Sequence, residues 1–204
     1  MQQKAENTPR LETPRLILRR FSPRDAEALF SLLSDKEVNR FLPLFPLETL
    51  NLAQDYLQEH YLAFYEKPIG YRYAVCLKTD DVPVGYVNIS QDDSYDLGYA
   101  LKKECWHKGI ATEACTAVVQ LLASSGIPYL TATHDVHNPR SGRVMENIGM
   151  TYRYSYQELW QPKNTLVTFR LYQRNFHMPS NWTYPKYWDI SSVHFVEDKN
   201  ETGG

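Results

Sequence analysis

The sequence predicts an α/β (α+β) layer fold around one mixed sheet, because two hydrophobic periods alternate along its 204 residues. Short runs of branched and aromatic residues with period-two alternation read as strands. Longer runs with apolar residues at i, i+3 and i+4 read as helices. Start and stop residues separate them in the order strand, two helices, three strands, helix, strand, helix, two strands.

Arg15 to Phe21 is the first strand, rich in branched side chains. Ser22-Pro23-Arg24-Asp25 then supplies an N-cap, a proline for the first helical position and an acid three residues after the cap. Ala26, Leu29, Phe30 and Leu33 follow at helical spacing. A second helix is expected from about Leu47 to Glu66, with Leu50, Ala53, Leu57, Tyr61 and Phe64 on one stripe and Pro68 and Gly70 beyond its end. Tyr73, Val75 and Leu77 alternate in the next strand, Asp80-Asp81 marks a turn, and Val84 to Ile89 returns. Asp96 to Leu101 is the third strand of this group. The helix after Gly109 places Ala114, Ala117, Val118, Leu121 and Leu122 on one face and stops at Gly126 and Pro128. Tyr129 to His134 is a strand, Asn138-Pro139-Arg140-Ser141 opens a short helix that Gly149 closes, and strands near Tyr152–Trp160 and Leu166–Tyr172 follow. Tyr152, Tyr154 and Tyr156 alternate with polar residues and are expected to line one sheet face.

Composition narrows the functional classes. A net charge of −2 argues against broad nucleic-acid binding, which needs a basic face. No run approaches the roughly 18 apolar residues of a membrane helix, and Met1 to Asn7 lacks the apolar segment of a secretory signal. Cys76, Cys105 and Cys115 are an odd set without metal-like spacing, which suits reduced thiols and a cytoplasmic protein. The sequons at Asn88, Asn181 and Asn200 then carry no meaning. His134 and His137 lack a third ligand at fitting spacing, so no metal is expected.

The most informative stretch is Trp106-His107-Lys108-Gly109-Ile110-Ala111-Thr112-Glu113-Ala114. Gly109 lets a backbone approach a ligand closely, Ala111 keeps the next turn open, and the amides at the helix start face an anion. Alone, one glycine before a helix is weak evidence, since such turns usually just change chain direction.

Together with Asn138-x-x-Ser141 downstream, this stretch resembles the GNAT acetyltransferase superfamily, in particular the branch that includes ribosomal-protein N-terminal acetyltransferases. Glu12 to Arg19 is similar to that branch's opening strand, Asp35 to Phe41 to the segment between its first two helices, and Gly98-Tyr99 with Trp106 to Ala114 to its acetyl-CoA loop. The likeness spans residues 11–173. It implies a mixed, mainly antiparallel twisted sheet flanked by helices, with a domain at 11–174 between a flexible N-terminus (1–10) and an aromatic-rich extension (175–204). The extension, with Trp182, Tyr184, Tyr187 and Trp188, is too aromatic for an ordinary disordered tail and is expected to pack on its own core or on a partner subunit. Two departures stand out. His107 occupies a loop position where the branch often has glycine, and Met145 stands where the superfamily often has a tyrosine acid.

The resemblance further implies that acetyl-CoA is the co-substrate, with no metal. The backbone of Tyr99, Ala100 and Leu101 would pair with the pantetheine arm, and an amide of this stretch, where the family's strand bulges, would donate to the thioester oxygen. Amides from His107 to Thr112, thus His107, Lys108, Gly109, Ile110, Ala111 and Thr112, would hold the pyrophosphate. Lys108 adds charge there or is merely solvated. Asn138 caps the helix beginning at Pro139 or contacts the co-substrate, and the two roles are compatible. Ser141 stands near the thioester sulfur as an acid for the leaving thiolate, or faces water. The acceptor must be a neutral amine. At pH 7 an α-amine of pKa about 7.8 is about one-seventh neutral, against about one part in 2,500 for a lysine near 10.4. Only a weak base is then needed for an α-amine, and Glu158 and Asp96 are the candidates, each also readable as a surface acid on a strand. The expected activity is acetyl transfer to a protein N-terminal α-amine or a small-molecule amine by direct attack in a ternary complex. The alternative is a CoA-binding regulatory or interaction module with weak or no turnover. The expected partners are acetyl-CoA and an amine, without nucleic acid or membrane, in a chain that could form a homodimer.

Overall fold

A computed structural model describes residues 6–198. Residues 1–5 of the expected flexible N-terminus and the Asn200 sequon lie outside the described residues. The strands are β1 (Leu11–Glu12), β2 (Leu16–Arg19), β3 (Arg72–Leu77), β4 (Pro83–Ile89), β5 (Leu97–Leu101), β6 (Tyr129–Asp135), β7 (Thr151–Trp160), β8 (Thr165–Asn175) and β9 (His194–Phe195). The α-helices are α1 (Ala26–Leu33), α2 (Lys36–Asn39), α3 (Leu50–Leu57), α4 (Ile110–Ala123), α5 (Pro139–Asn147) and α6 (Lys186–Ile190).

The mixed sheet is divided. One antiparallel sheet has the order β1-β2-β3-β4-β5, a second has the order β6-β8-β7-β9, and they meet through an isolated parallel bridge between Asp96 and Thr131. Beyond that bridge β5 and β6 do not pair, so a wedge opens between the two sheets. Helices cover the faces as the apolar periods require. On one side Val118 and Leu122 of α4 and Met145 of α5 pack with Leu16, Val75, Val87 and Leu130. On the other, Leu29 and Leu33 of α1 and Leu57 of α3 pack with Ile17, Ala74 and Tyr86. β3 is buried on both faces, which explains its nearly unbroken apolar run.

Two local patterns depart from the regular periods. The helix expected over 47–66 is α-helical only over Leu50–Leu57, then widens to a π-turn at Gln58–Leu62 and tightens to a 3-10 turn at Ala63–Glu66. Its buried residues Ala53, Leu57 and Tyr61 recur every fourth position and drift around a regular 3.6-residue helix, so a wider turn keeps Tyr61 inward. The three alternating tyrosines do not share a face. The register shifts between Tyr152 and Tyr154, so Tyr152 pairs with Tyr172 and Tyr154 with Leu171. Tyr152 therefore joins the α4–α5 side, while Tyr154 and Tyr156 join Val167, Phe169 and Leu171 on the opposite face.

The chain after β8 covers that opposite face. Tyr187 stacks on Tyr156 with ring centroids 5.0 Å apart, and Trp188 meets Tyr154 edge-on. Tyr184 is buried; its amide donates to Gln173 Oε1 at 2.8 Å and its carbonyl accepts from Tyr154 Oη at 2.7 Å. β9 then adds to the outer edge of β7. Aromatic burial and saturation of the buried Gln173 amide hold the segment on its own core.

Tyr184→Ala is expected to cost about 3 kcal/mol and to lower the thermal midpoint by about 6–12 °C. A melting curve superimposable on that of the parent protein would show that the segment is only loosely attached.

Candidate active site

The wedge is lined by the outer edge of β5, the start of α4 and the start of α5. In β5 the antiparallel ladder decides which backbone groups are free. Ser90 N donates to Asp96 O at 2.9 Å and Lys102 N to Val84 O at 2.8 Å. The alternation between these two bonds turns the peptide groups of Gly98 and Ala100 toward β4, and those of Tyr99 and Leu101 toward the wedge. Of the three expected backbone contacts, Tyr99 and Leu101 are available for an added extended ligand, and Ala100 is already paired. The Leu101 carbonyl accepts from Trp106 Nε1 at 2.8 Å, which leaves its amide. No bulge interrupts β5 against β4; the irregularity lies one strand further in, at Val75/Cys76 of β3 opposite β4. The expected bulge in the Tyr99–Leu101 stretch is thus absent.

A tight loop connects β5 to α4. Gly109 is the N-cap of α4 with φ +73°, a conformation that costs glycine nothing. A Cβ built there would meet only Arg15 Nη2, at 3.5 Å, so the requirement for glycine is conformational. His107 also has a positive φ, +59°. Glycine would suit this position better, and the His107 side chain is carried outward into solvent. The amides of Ile110, Ala111 and Thr112 are first-turn donors without an acceptor inside the helix. Ile110 itself is buried in the core, whereas Lys108 is exposed.

Glu113 explains why this loop holds its shape. An acid in the first turn of α4 is favoured by the helix dipole. Its carboxylate accepts from Thr13 Oγ1 at 2.5 Å, Arg15 N at 3.0 Å and Arg15 Nε at 2.6 Å. Desolvation opposes its ionisation, but the Thr13 and Arg15 hydrogen bonds prevail and hold the carboxyl below its ordinary range. Arg15 Nη1 in turn donates to the Lys108 carbonyl at 2.8 Å. The chain leading into β2 is thereby clamped to the loop. Sequence reasoning missed this pair, because the partners are almost a hundred residues apart.

Across the wedge, α5 begins at Pro139. Asn138 does not cap with its side chain; only its carbonyl accepts, from Ser141 N at 3.1 Å. Its amide group is left for a ligand. Ser141 Oγ lies 2.8 Å from Tyr99 Oη, and Tyr99 Oη also donates to the Ser141 carbonyl at 2.9 Å. Burial drives the Tyr99 ionisation far above its ordinary value. Met145, one turn further along α5, is buried and carries no proton to give.

The two candidate bases occupy different settings. Asp96 sits at the vertex, where its Oδ1 accepts from Thr131 Oγ1 at 3.1 Å, and desolvation pushes its pKa up to about 7. Glu158 is exposed on β7, with its pKa raised by partial desolvation of the carboxyl. Glu158 lies two residues beyond Tyr156 on β7, on the face where Tyr187 stacks on Tyr156. Tyr187 comes from the C-terminal segment; the sequence led only to the expectation that it packs, since nothing local ties it to β7. His134 Nδ1 pairs with the Asp135 carbonyl at 2.8 Å and His137 Nδ1 with Asp135 Oδ1 at 2.9 Å. Among the described residues no group of three potential metal ligands gathers. Nor is any described helix long and apolar enough to cross a membrane.

Residues 15–151 match the family model described as an acetyltransferase (GNAT) domain. The chain is 28% identical over 159 residues to the uncharacterised N-acetyltransferase YoaA of Bacillus subtilis, covering 73% of this chain and 89% of that protein. Its fold is similar to that of a GNAT-family acetyltransferase from Bacillus anthracis, with a TM-score of 0.73, 22% identity, and coverage of 83% of this chain and 100% of the other. It is also similar to the ribosomal L7/L12 α-N-protein acetyltransferase RimL in complex with coenzyme A, with a TM-score of 0.72, 16% identity, and coverage of 83% and 99%.

Two outcomes test this geometry. Saturating acetyl-CoA, at 100 times its dissociation constant, is expected to stabilise the protein by about 2.7 kcal/mol. Gly109→Val, which forces a branched side chain into a positive φ, should abolish that shift; a full shift in the variant would remove the loop from the binding site. Asp96 supplies a pH signature. A folded-state pKa above the unfolded value means that the folded protein binds the extra proton between about pH 4 and 7. Its contribution is therefore complete at low pH and is lost as pH rises through about 7. The melting temperature of Asp96→Asn relative to the parent protein should rise over that interval, and a constant difference would contradict the assigned environment.

Proposed function

The chain belongs to the GNAT acetyltransferase family, whose members move acetyl from acetyl-CoA to an amine, and we propose that its wedge binds the thioester arm along β5 with Ser141 and Asp96 serving the two ends of the transfer. The observation that carries this reading is the unpaired edge of β5, with the Tyr99 and Leu101 peptide groups turned outward between the open turn at Gly109 and the hydroxyl of Ser141.

The parts act in sequence. The first-turn amides of α4 and its dipole bind the pyrophosphate, and the clamped loop presents them without rearrangement. The edge of β5 receives the pantetheine arm as a further strand would be received. Asn138, free of any capping duty, contacts the same arm. The reaction joins the amine nitrogen to the carbonyl carbon and breaks the carbon–sulfur bond, whose electron pair leaves on sulfur. One proton leaves the nitrogen and one is gained by sulfur. Asp96, with a pKa of about 7, is divided between its two protonation states near neutrality and accepts the amine proton through water. Ser141 Oγ–H donates to the sulfur as negative charge develops there, and solvent restores the proton balance. The exposed Glu158 attracts the ammonium form of the acceptor to the patch formed by Tyr156 and Tyr187. The acceptor is a protein N-terminal α-amine or a small-molecule amine. Met145 removes the tyrosine acid from α5 and is the one feature favouring a binding module without turnover. The Ser141 hydroxyl, placed one turn earlier, favours catalysis. Three free, buried cysteines suit a reducing cytoplasm.

Free-thiol release over a panel of amines and peptide N-termini is expected to reveal turnover and to rank the acceptors. Ser141→Ala should lower kcat on the best acceptor by about 10²-fold while acetyl-CoA affinity stays within about twofold, since a transition-state contact contributes to kcat. An unchanged kcat would remove the acid role. Thiol release from no acceptor, alongside intact acetyl-CoA binding, would favour the binding module.

A further inference from the structure

We propose that the Tyr99 hydroxyl is a positioning residue that aims the Ser141 proton at the departing sulfur. The inference rests on the role assigned to Ser141 in the preceding section and concerns the Tyr99 side chain, whereas that section used only the Tyr99 backbone.

The geometry sets one phenol hydroxyl against both oxygens of a single serine. Tyr99 Oη is 2.8 Å from Ser141 Oγ and 2.9 Å from the Ser141 carbonyl oxygen. Each hydroxyl has one proton and can accept from two directions. If Tyr99 donates to the carbonyl, its oxygen is left to accept, and the Ser141 proton turns toward it. In that arrangement Ser141 has nothing to offer a ligand. If Tyr99 donates instead to Ser141 Oγ, the serine proton is displaced toward the wedge. The two arrangements differ only by rotation of two O–H bonds.

Several features favour the second arrangement once sulfur occupies the wedge. The Ser141 carbonyl lies in the first turn of α5 and already receives the regular i+4 amide of Met145, so it does not depend on Tyr99. A developing thiolate is a stronger acceptor than a phenol oxygen, and hydrogen bonds to charged acceptors are about twice as strong as neutral ones. Serine polarised by a donor behind it is in turn a better donor. Tyr99 does not lose its own proton: burial keeps the phenol un-ionised, so it serves as a fixed donor and not as an acid. The hydroxyl missing at Met145 is thereby supplied from β5, through the serine, on the opposite wall of the wedge.

A double-mutant cycle with thiol release and acetyl-CoA binding tests this. Tyr99→Phe keeps the ring and the backbone of β5. It is expected to lower kcat about tenfold, with acetyl-CoA affinity within about twofold. In the Ser141→Ala background the same change should have no further effect on kcat. Melting curves and the acetyl-CoA thermal shift of each variant report whether fold and binding are intact. Overturning results are an unchanged kcat in Tyr99→Phe or an undiminished tenfold loss in the Ser141→Ala background. If Ser141→Ala reduces kcat and Tyr99→Phe does not, only the Tyr99 inference falls. If Ser141→Ala is fully active, the acid role of Ser141 falls, and the positioning role falls with it. Should Tyr99→Phe weaken both folding and binding, Tyr99→His, which retains a ring N–H donor, decides: recovery of kcat above the Phe variant supports the inference, and no recovery rejects it.

Discussion

Asp96 and Thr131 make the bridge on which this architecture turns. At this isolated parallel contact the five-stranded and four-stranded sheets meet, and past it the β5 edge is left without a partner. An unpaired edge in a protein interior is normally a defect, because its peptide groups lose water and gain nothing. Here the Tyr99 peptide groups and the Leu101 amide stay without a strand partner. The same vertex buries Asp96 enough to raise its pKa to about 7.

On either side of that edge, charge and backbone conformation are arranged before any ligand arrives. A positive φ at His107 and at Gly109 turns the loop so that the first amides of α4 point outward. The turn is maintained by Glu113, whose carboxylate is satisfied by Thr13 and Arg15. An acid at a helix start thus acts as a tether. Opposite, Asn138 leaves its side chain uncommitted and Ser141 meets Tyr99, so both walls of the wedge present hydrogen-bonding groups at the level of β5.

The C-terminal segment contributes to the stability of the second sheet. Tyr187 stacks on Tyr156, with Glu158 two residues further along the same face of β7. Removing the segment would strip an apolar sheet face and unbalance the buried Gln173 amide.

Much of the fold was legible because its causes are local. The cap at Ser22, the glycine stops at Gly126 and Gly149, and the central apolar run of β3 follow from steric limits and burial periods that a few neighbouring residues express. The Gly109 loop and the Asn138-x-x-Ser141 start were readable for the same reason. Other features were not, because they depend on residues distant in sequence. The splitting of one expected sheet into two, the bulge that sends Tyr152 to the opposite face from Tyr154, the Arg15–Glu113 clamp and the Tyr99–Ser141 contact all belong to this class. Sequence by itself determined most of the elements and the turn at Gly109 that opens α4, since conformational preference is a property of short segments. Only the tertiary structure decided which peptide groups remain unpaired and which hydroxyl faces which, because hydrogen bonds act over about 3 Å between groups that the fold, and not the chain order, brings together.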